Sequence, residues 1–96
     1  MKLDVVFSNV AELDLIAIHD YIAEFRLEAA QKTLLQIKAE CGRLGSMPLT
    51  GSKCDSLQPG LRFRVVGKYV VFYRVTDDVV WIQRVLHSAR DFEKLL

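Results

Sequence analysis

The sequence predicts an α+β fold in which an N-terminal strand leads into a helical hairpin, followed by a three-stranded antiparallel meander and a short helical tail. Three observations carry this. Between Asn9 and Gly42 no glycine or proline interrupts the chain, so helices fill that span. From Leu61 onward, β-branched and aromatic residues dominate three runs separated by the two-residue breaks Gly67-Lys68 and Asp77-Asp78. The 96 residues are 51% apolar and 26% charged, with five glycines and two prolines, a composition that excludes disorder and low-complexity structure and suits one domain over residues 1–96.

The elements follow in order. Leu3, Val5 and Phe7 alternate with Lys2, Asp4 and Val6 in the period-2 pattern of a strand, which Ser8 and Asn9 stop. Either residue can cap a helix, and Asn9 with Glu12 resembles a capping box. At 100° per residue, Val10, Ala11, Leu15, Ala17, Ile18, Tyr21, Ile22 and Phe25 form the apolar arc of the first helix. Asp14 intrudes on that arc, while Leu13 and Ile16 lie among the polar residues and are candidates for a partner surface. The stripe changes phase at Phe25 to Leu27, and a second helix carries Ala30, Leu34, Ile37, Cys41 and Leu44 and is expected to end at Gly42 or Gly45. Met47 to Gly60, with Pro48, Gly51, Pro59 and Gly60, reads as an ordered surface loop. Strands are expected near Leu61 to Val66, Tyr69 to Thr76 and Val79 to His87, with Ser88 to Leu96 as a helical turn or packed strap.

If both hairpins have two-residue turns, Val66 opposes Tyr69 and Thr76 opposes Val79. One sheet face then carries Leu61, Phe63, Val65, Val70, Phe72 and Val85 and is the expected core, with Arg74 opposite Trp81 in a cation-π arrangement. The other carries Arg62 beside Tyr73 and Ile82, and Arg64 beside Val71 and Arg84, with Tyr69 and Leu86 further along. It is the expected recognition surface, although a bulge at Gly67 would invert the parity of one strand. Each arginine alone reads most simply as solvated or salt-bridged, and His87 as a hydrogen-bonded structural residue. The clustering of these residues carries the functional reading.

Net charge is +1, so no bulk excess points to nucleic acid or anionic membrane. Residues 1–60 hold six basic and eight acidic side chains, whereas residues 61–96 hold seven basic and four acidic, which puts the positive field in the C-terminal third. Without a signal-peptide h-region or an apolar run of roughly 18 residues, a cytoplasmic location is expected. Cys41 and Cys54 have neither CxxC spacing nor histidine neighbours, and no spacing implies a metal or organic cofactor.

Gly60-Leu61-Arg62, the run Gly67-Lys68-Tyr69-Val70-Val71-Phe72-Tyr73-Arg74-Val75, and the run Arg84-Val85-Leu86-His87-Ser88-Ala89-Arg90-Asp91 together resemble the signature of ParE toxins in the RelE/ParE superfamily. The first helix adds Ala11, Asp14, Leu15, Ile18 and Asp20-Tyr21-Ile22-Ala23, and Pro48 to Gly51 supplies a Pro-x-x-Gly ahead of the strands. Asp14 sits where these toxins usually carry an acidic residue. The resemblance implies the toxin of a type II toxin-antitoxin pair, neutralised in a hetero-oligomer by a ParD-like antitoxin, for which Leu13 and Ile16 are the candidate contacts.

ParE-type members of the superfamily poison DNA gyrase, whereas RelE-type members cut mRNA on the ribosome with basic sheet residues and a C-terminal tyrosine. Arg62, Arg64 and Arg90 fall near the basic positions of the ribonucleases, but Val70 stands at their third-strand arginine, and Arg90-Asp91-Phe92-Glu93 lacks the tyrosine. The expectation is therefore a non-enzymatic gyrase poison that meets its target through Arg62, Arg64, Tyr73, Arg84, His87 and Arg90. A ribonuclease using Arg62, Arg64, His87 and Arg90 is the alternative, and a non-toxic binding module of the same fold the third reading.

Overall fold

The computed structural model describes residues 2–96. The elements are β1 (Asp4–Phe7), α1 (Asn9–Ala23), α2 (Leu27–Ser46), β2 (Ser52–Lys53), β3 (Arg62–Val66), β4 (Tyr69–Val75), β5 (Val79–His87) and α3 (Phe92–Leu95). The five strands form one sheet in the order β1-β5-β4-β3-β2. The expected α+β architecture is present, with two additions: β1 runs parallel to β5, and the two-residue β2 borders β3.

Ser8 rather than Asn9 caps α1. Its Oγ accepts the Ala11 N–H at 2.9 Å and donates to the Gln83 carbonyl at 2.8 Å, so one hydroxyl starts the helix and ties it to β5. The second helix runs past both glycines expected to stop it and ends at Ser46, with Met47 as its C-cap before Pro48. Gly45 answers instead to a close approach: a Cβ there would lie 2.5 Å from the Leu3 carbonyl, and the Gly45 carbonyl accepts the Leu3 N–H at 2.8 Å.

Both two-residue turns form as the spacing predicts, with Val66 opposite Tyr69 and the Thr76 N–H bonded to the Val79 carbonyl. Gly67 adopts φ +59°, which a two-residue hairpin turn requires. The irregularity lies elsewhere. Tyr73 opposes Ile82 but Phe72 opposes Arg84, leaving Gln83 as the extra residue of a bulge in β5. Beyond it the parity of β5 is reversed: Val85 pairs with Val71 and Leu86 with Val70.

Both faces of the sheet are therefore apolar and both are covered. The helical hairpin lies on the face of Val71, Tyr73, Val80, Ile82 and Val85, where Ala11, Leu15, Ile37, Cys41 and Leu44 complete the main core. The opposite face holds a second core of Cys54, Leu61, Val70, Phe72 and Leu86, covered by Leu57 from the loop and by Phe63, Phe92, Leu95 and Leu96. The core expected from alternation is this second one, apart from Val85, which the bulge sends to the helix side, and Val65, which is exposed. The face expected to be free for recognition is the one under the helices. Arg74 does oppose Trp81, but its guanidinium is taken up by Gln83, Gln58 and the Pro59 carbonyl.

Candidate functional site

Four of the six predicted target-contacting residues, Tyr73, Arg62, Arg84 and Arg64, are bound into the fold. Tyr73 is fully buried; its hydroxyl accepts the Gly51 N–H at 2.8 Å and donates to the Pro48 carbonyl at 2.9 Å. Burial raises its pKa, against the smaller opposing effects of the Gly51 hydrogen bond, Arg62 and Arg64. It is a clasp on the loop after α2 and offers no surface to a target. Arg62 works on the same loop, donating to the carbonyls of Gly51 (2.8 Å) and Leu49 (3.3 Å).

Arg84 also turns inward. Its Nε and Nη2 grip the two carboxylate oxygens of Asp14, both at 2.9 Å, in a bidentate pair whose side chains are only 19% and 13% exposed. Nη1 donates to the Leu95 carbonyl at 2.7 Å. The hydrogen bonds to Asp14 raise the Arg84 pKa above its usual value, so the charge is permanent. Asp14 has a second task. β1 ends at Phe7, so the upper half of β5 has no strand on that side, and there the Val85 N–H donates to Asp14 at 2.9 Å. An acidic residue in the apolar arc is thus accounted for by one cation and one strand-edge amide, both invisible to helical periodicity.

Arg64 is half-buried at the rim of the sheet, donating to Glu40 on α2 at 3.0 Å and to the Thr50 hydroxyl at 3.1 Å; Glu40 also accepts from Arg43 at 2.7 Å. His87 and Arg90 are exposed. His87 lies on β5, across β4 from the strand of Arg64, a lateral separation of roughly 10 Å for two strand spacings, and Arg90, in the turn after β5, shares the groove of His87. The four residues of the ribonuclease expectation therefore divide into two pairs, Arg62 and Arg64 on one flank, His87 and Arg90 on the other.

Around His87 a continuous aromatic and cationic end is assembled. The His87 ring stands edge-on to Tyr69 at 5.5 Å, and its Nδ1 accepts the Ala89 N–H at 3.0 Å, which leaves the proton of the neutral ring on Nε2. A groove of about 470 Å³ between α1 and β5 is walled by Asp14, Ile18, Tyr21, Tyr69, His87 and Arg90. A second cleft, holding Lys68 at the β3–β4 turn, shares Tyr21, Tyr69 and His87 with it. Burial raises the Tyr69 pKa, and proximity to Tyr21 adds to the rise. Tyr21 stacks edge-on with Phe25 at 5.6 Å, and both rings are mostly exposed. Tyr69 belongs to the expected recognition surface, whereas Tyr21 and Lys68 are not among the predicted site residues. Tyr69 follows the Gly67-Lys68 turn and Tyr21 sits in the helical stripe, and nothing local in either position announces the shared groove.

Leu13 and Ile16 are 63% and 57% exposed, side by side on the crest of α1. Ile16 borders a larger groove of about 750 Å³ between the helices, with Phe7, Leu15, Leu34, His19 and Lys38. Among the described residues no cluster of His, Cys, Asp and Glu could hold a metal ion, and no helix is long and apolar enough to cross a membrane.

Residues 5–92 match the family described as the ParE toxin of the type II toxin-antitoxin system parDE. The chain belongs to the ParE toxin family. It is 38% identical over 86 residues to Toxin RelE2 of Caulobacter vibrioides, an alignment spanning 90% of this chain and 96% of the relative. Among solved structures, the fold is shared with a chain of the chromosomal ParDE system from P. aeruginosa (TM-score 0.77, 24% identity, 90% of this chain and 96% of that one). It is also shared with a chain of the toxin-antitoxin complex RelBE2 from Mycobacterium tuberculosis (TM-score 0.63, 27% identity, 91% and 99% covered). This ParE-family chain is thus a toxin of the ParE/RelE superfamily, with ParE-type and RelE-type relatives alike.

Proposed function

We propose that this toxin arrests growth by binding DNA gyrase rather than by cutting RNA, and that a ParD-like antitoxin neutralises it. The observation that carries the reading is the second core. Val70, at the position of the ribonucleases' third-strand arginine, is buried with Leu61, Phe72, Leu86 and Cys54, and Phe92 closes over Phe72 at 5.0 Å. Cleavage through the 2′-hydroxyl needs a proton acceptor, cationic donors for the phosphorane charge and an acid for the leaving oxygen in one place. That face presents apolar carbon instead, and the four candidate residues stand in two separated pairs. Binding needs no such convergence, and the exposed cationic and aromatic end of Lys68, Tyr69, His87 and Arg90 is the contact we assign to the target. The crest of Leu13 and Ile16 with the groove between the helices supports docking of an amphipathic antitoxin segment.

Supercoiling by purified gyrase with ATP and antitoxin-free toxin tests this. Lost supercoiling with trapped cleaved DNA, reversed by the antitoxin and weakened in Arg90→Ala and Lys68→Ala, is the expected result.

The 38% identity to Toxin RelE2, together with the exposed His87 and Arg90 that share one groove, favours ribosome-dependent mRNA cleavage as the second reading. Fresh mRNA ends on ribosomes, abolished by His87→Ala, would establish it against gyrase binding. If antitoxin depletion causes no growth arrest, the third reading, a non-toxic binding module, holds.

A further inference from the structure

The C-terminal segment is attached to the rest of the protein in an unusual way. α3 has four residues, too few to hold a helix unaided. Its hydrogen bonds are internal: Asp91 caps the Lys94 N–H, and the Leu96 N–H reaches the Phe92 carbonyl. Among the described residues, a single hydrogen bond joins Asp91–Leu96 to the remainder of the fold, from Arg84 Nη1 to the Leu95 carbonyl. The other attachment is apolar, through Phe92, Leu95 and Leu96, all only half-buried, against Phe72 and its neighbours. Upstream, the turn at Ser88–Arg90 is held by the Ser88 N–H on the Lys68 carbonyl and the Arg90 N–H on the His87 carbonyl, which makes it a fixed pivot.

We propose that residues 91–96 form a strap that opens about this pivot, that Arg84 is its latch, and that Asp14 on α1 sets the latch without touching the strap. Two of the three guanidinium nitrogens of Arg84 are committed to Asp14, and this bidentate grip aims the third at Leu95. Without the carboxylate, the long Arg84 side chain regains its rotamers and the Leu95 carbonyl loses an oriented donor. The open strap uncovers Val70, Phe72 and Leu86, an apolar surface continuous with Leu61. The latch also connects two parts of the molecule. Asp14, Leu86 and Arg90 all wall the α1–β5 groove, so helix, covered face and pivot meet at one place. Asp14 is a positioning residue for the strap.

Hydrogen exchange by mass spectrometry on the full chain tests this, with the Lys94 and Leu96 amides as the strap probe and the α2 amides as the global probe. In the unmodified protein the strap amides should exchange through a local opening that low denaturant does not accelerate, well before the α2 amides. Arg84→Ala and Asp14→Asn should each speed strap exchange about tenfold beyond whatever acceleration the lost buried pair gives the α2 amides, with the double variant no faster than either single one. Phe92→Ala should speed it as well, and additively with Asp14→Asn, because it weakens the apolar attachment instead. Strap amides that exchange only with global unfolding in the unmodified chain would overturn the proposal. So would an Asp14→Asn protein whose strap is as protected as the parent's while Arg84→Ala opens it, since Arg84 would then hold Leu95 without help from α1.

Discussion

The Tyr73 hydroxyl and the Gly51 amide meet 2.8 Å apart, joining the middle of β4 to a loop 22 residues earlier in the chain. The contact leaves no room for a side chain. A Cβ on Gly51 would lie 2.7 Å from the Phe63 carbonyl and closer still to the Tyr73 hydroxyl. Backbone and a buried ring must both move to admit it, so Gly51→Ala should destabilise the protein by about 2–3 kcal/mol. Urea denaturation, read by the intrinsic fluorescence of Trp81, measures this.

Removing the other partner separates hydrogen bonding from packing. Tyr73→Phe keeps the ring but leaves the Gly51 N–H and the Pro48 carbonyl without their buried partner, at a cost of about 1–3 kcal/mol near neutral pH. The pH dependence has a definite sign. Burial raises the native pKa of Tyr73, so its contribution is complete below the unfolded value of about 10 and falls as pH rises through the higher native one. The gap in stability between parent and Tyr73→Phe should therefore narrow above about pH 10, by up to about 1.4 kcal/mol per pH unit. A gap constant to pH 11 would contradict this assignment.

The thiols should also distinguish themselves. Cys41 lies in the main core, and burial, reinforced by Glu40, pushes its pKa up to about 12. Cys54 is raised by burial and Asp55, while Arg74 acts in the opposite direction. In the folded protein at pH 8, a thiol reagent such as Ellman's should react slowly with Cys54 and not measurably with Cys41. Both should react at once in denaturant, and a fast first phase assigned to Cys41 would be inconsistent with this core.

The crest of α1 is predicted to matter for partners and not for folding. Leu13→Asp and Ile16→Asp place charges where the side chains already face solvent, and should change stability by no more than about 0.5 kcal/mol. Both should weaken capture of the cognate antitoxin at least tenfold, as measured by calorimetric titration. Leu15→Asp, at a buried position one residue away, should instead unfold the chain.

Much of this architecture is legible in the residues, because it rests on local signals. The uninterrupted span up to Gly42 marks the helices, and Gly67-Lys68 and Asp77-Asp78 fix two turns and the register beside them. What is hidden depends on distance in the chain. Alternation in β3 and β4 distinguishes two faces but does not say which one the helices cover, because the tail and the loop at Cys54–Leu61 make the second face equally apolar. The bulge at Gln83 has no glycine or proline to mark it. It sends Val85 to the helix side, reversing the parity expected of Arg84 and Leu86. Arg84 and Tyr73 were plausible surface residues only while their partners, Asp14 and the carbonyl of Pro48, were unknown.

The parallel pairing of β1 with β5 has a consequence for biosynthesis. Residues 4–7 find their strand partner only at residues 79–82, and the bond from the Ser8 hydroxyl to Gln83 spans 75 positions. Closing so long a loop is among the slower events available to a small domain. A nascent chain that has emerged only as far as β4 lacks β5, the strand on which β1 and α1 dock, and has no Arg84 for Asp14 and no Ile82 carbonyl for Ser8. Interrupted synthesis therefore yields fragments with an open sheet edge rather than a weaker toxin, and such edges invite aggregation or proteolysis. A closed domain on this scaffold comes with the last strand or not at all.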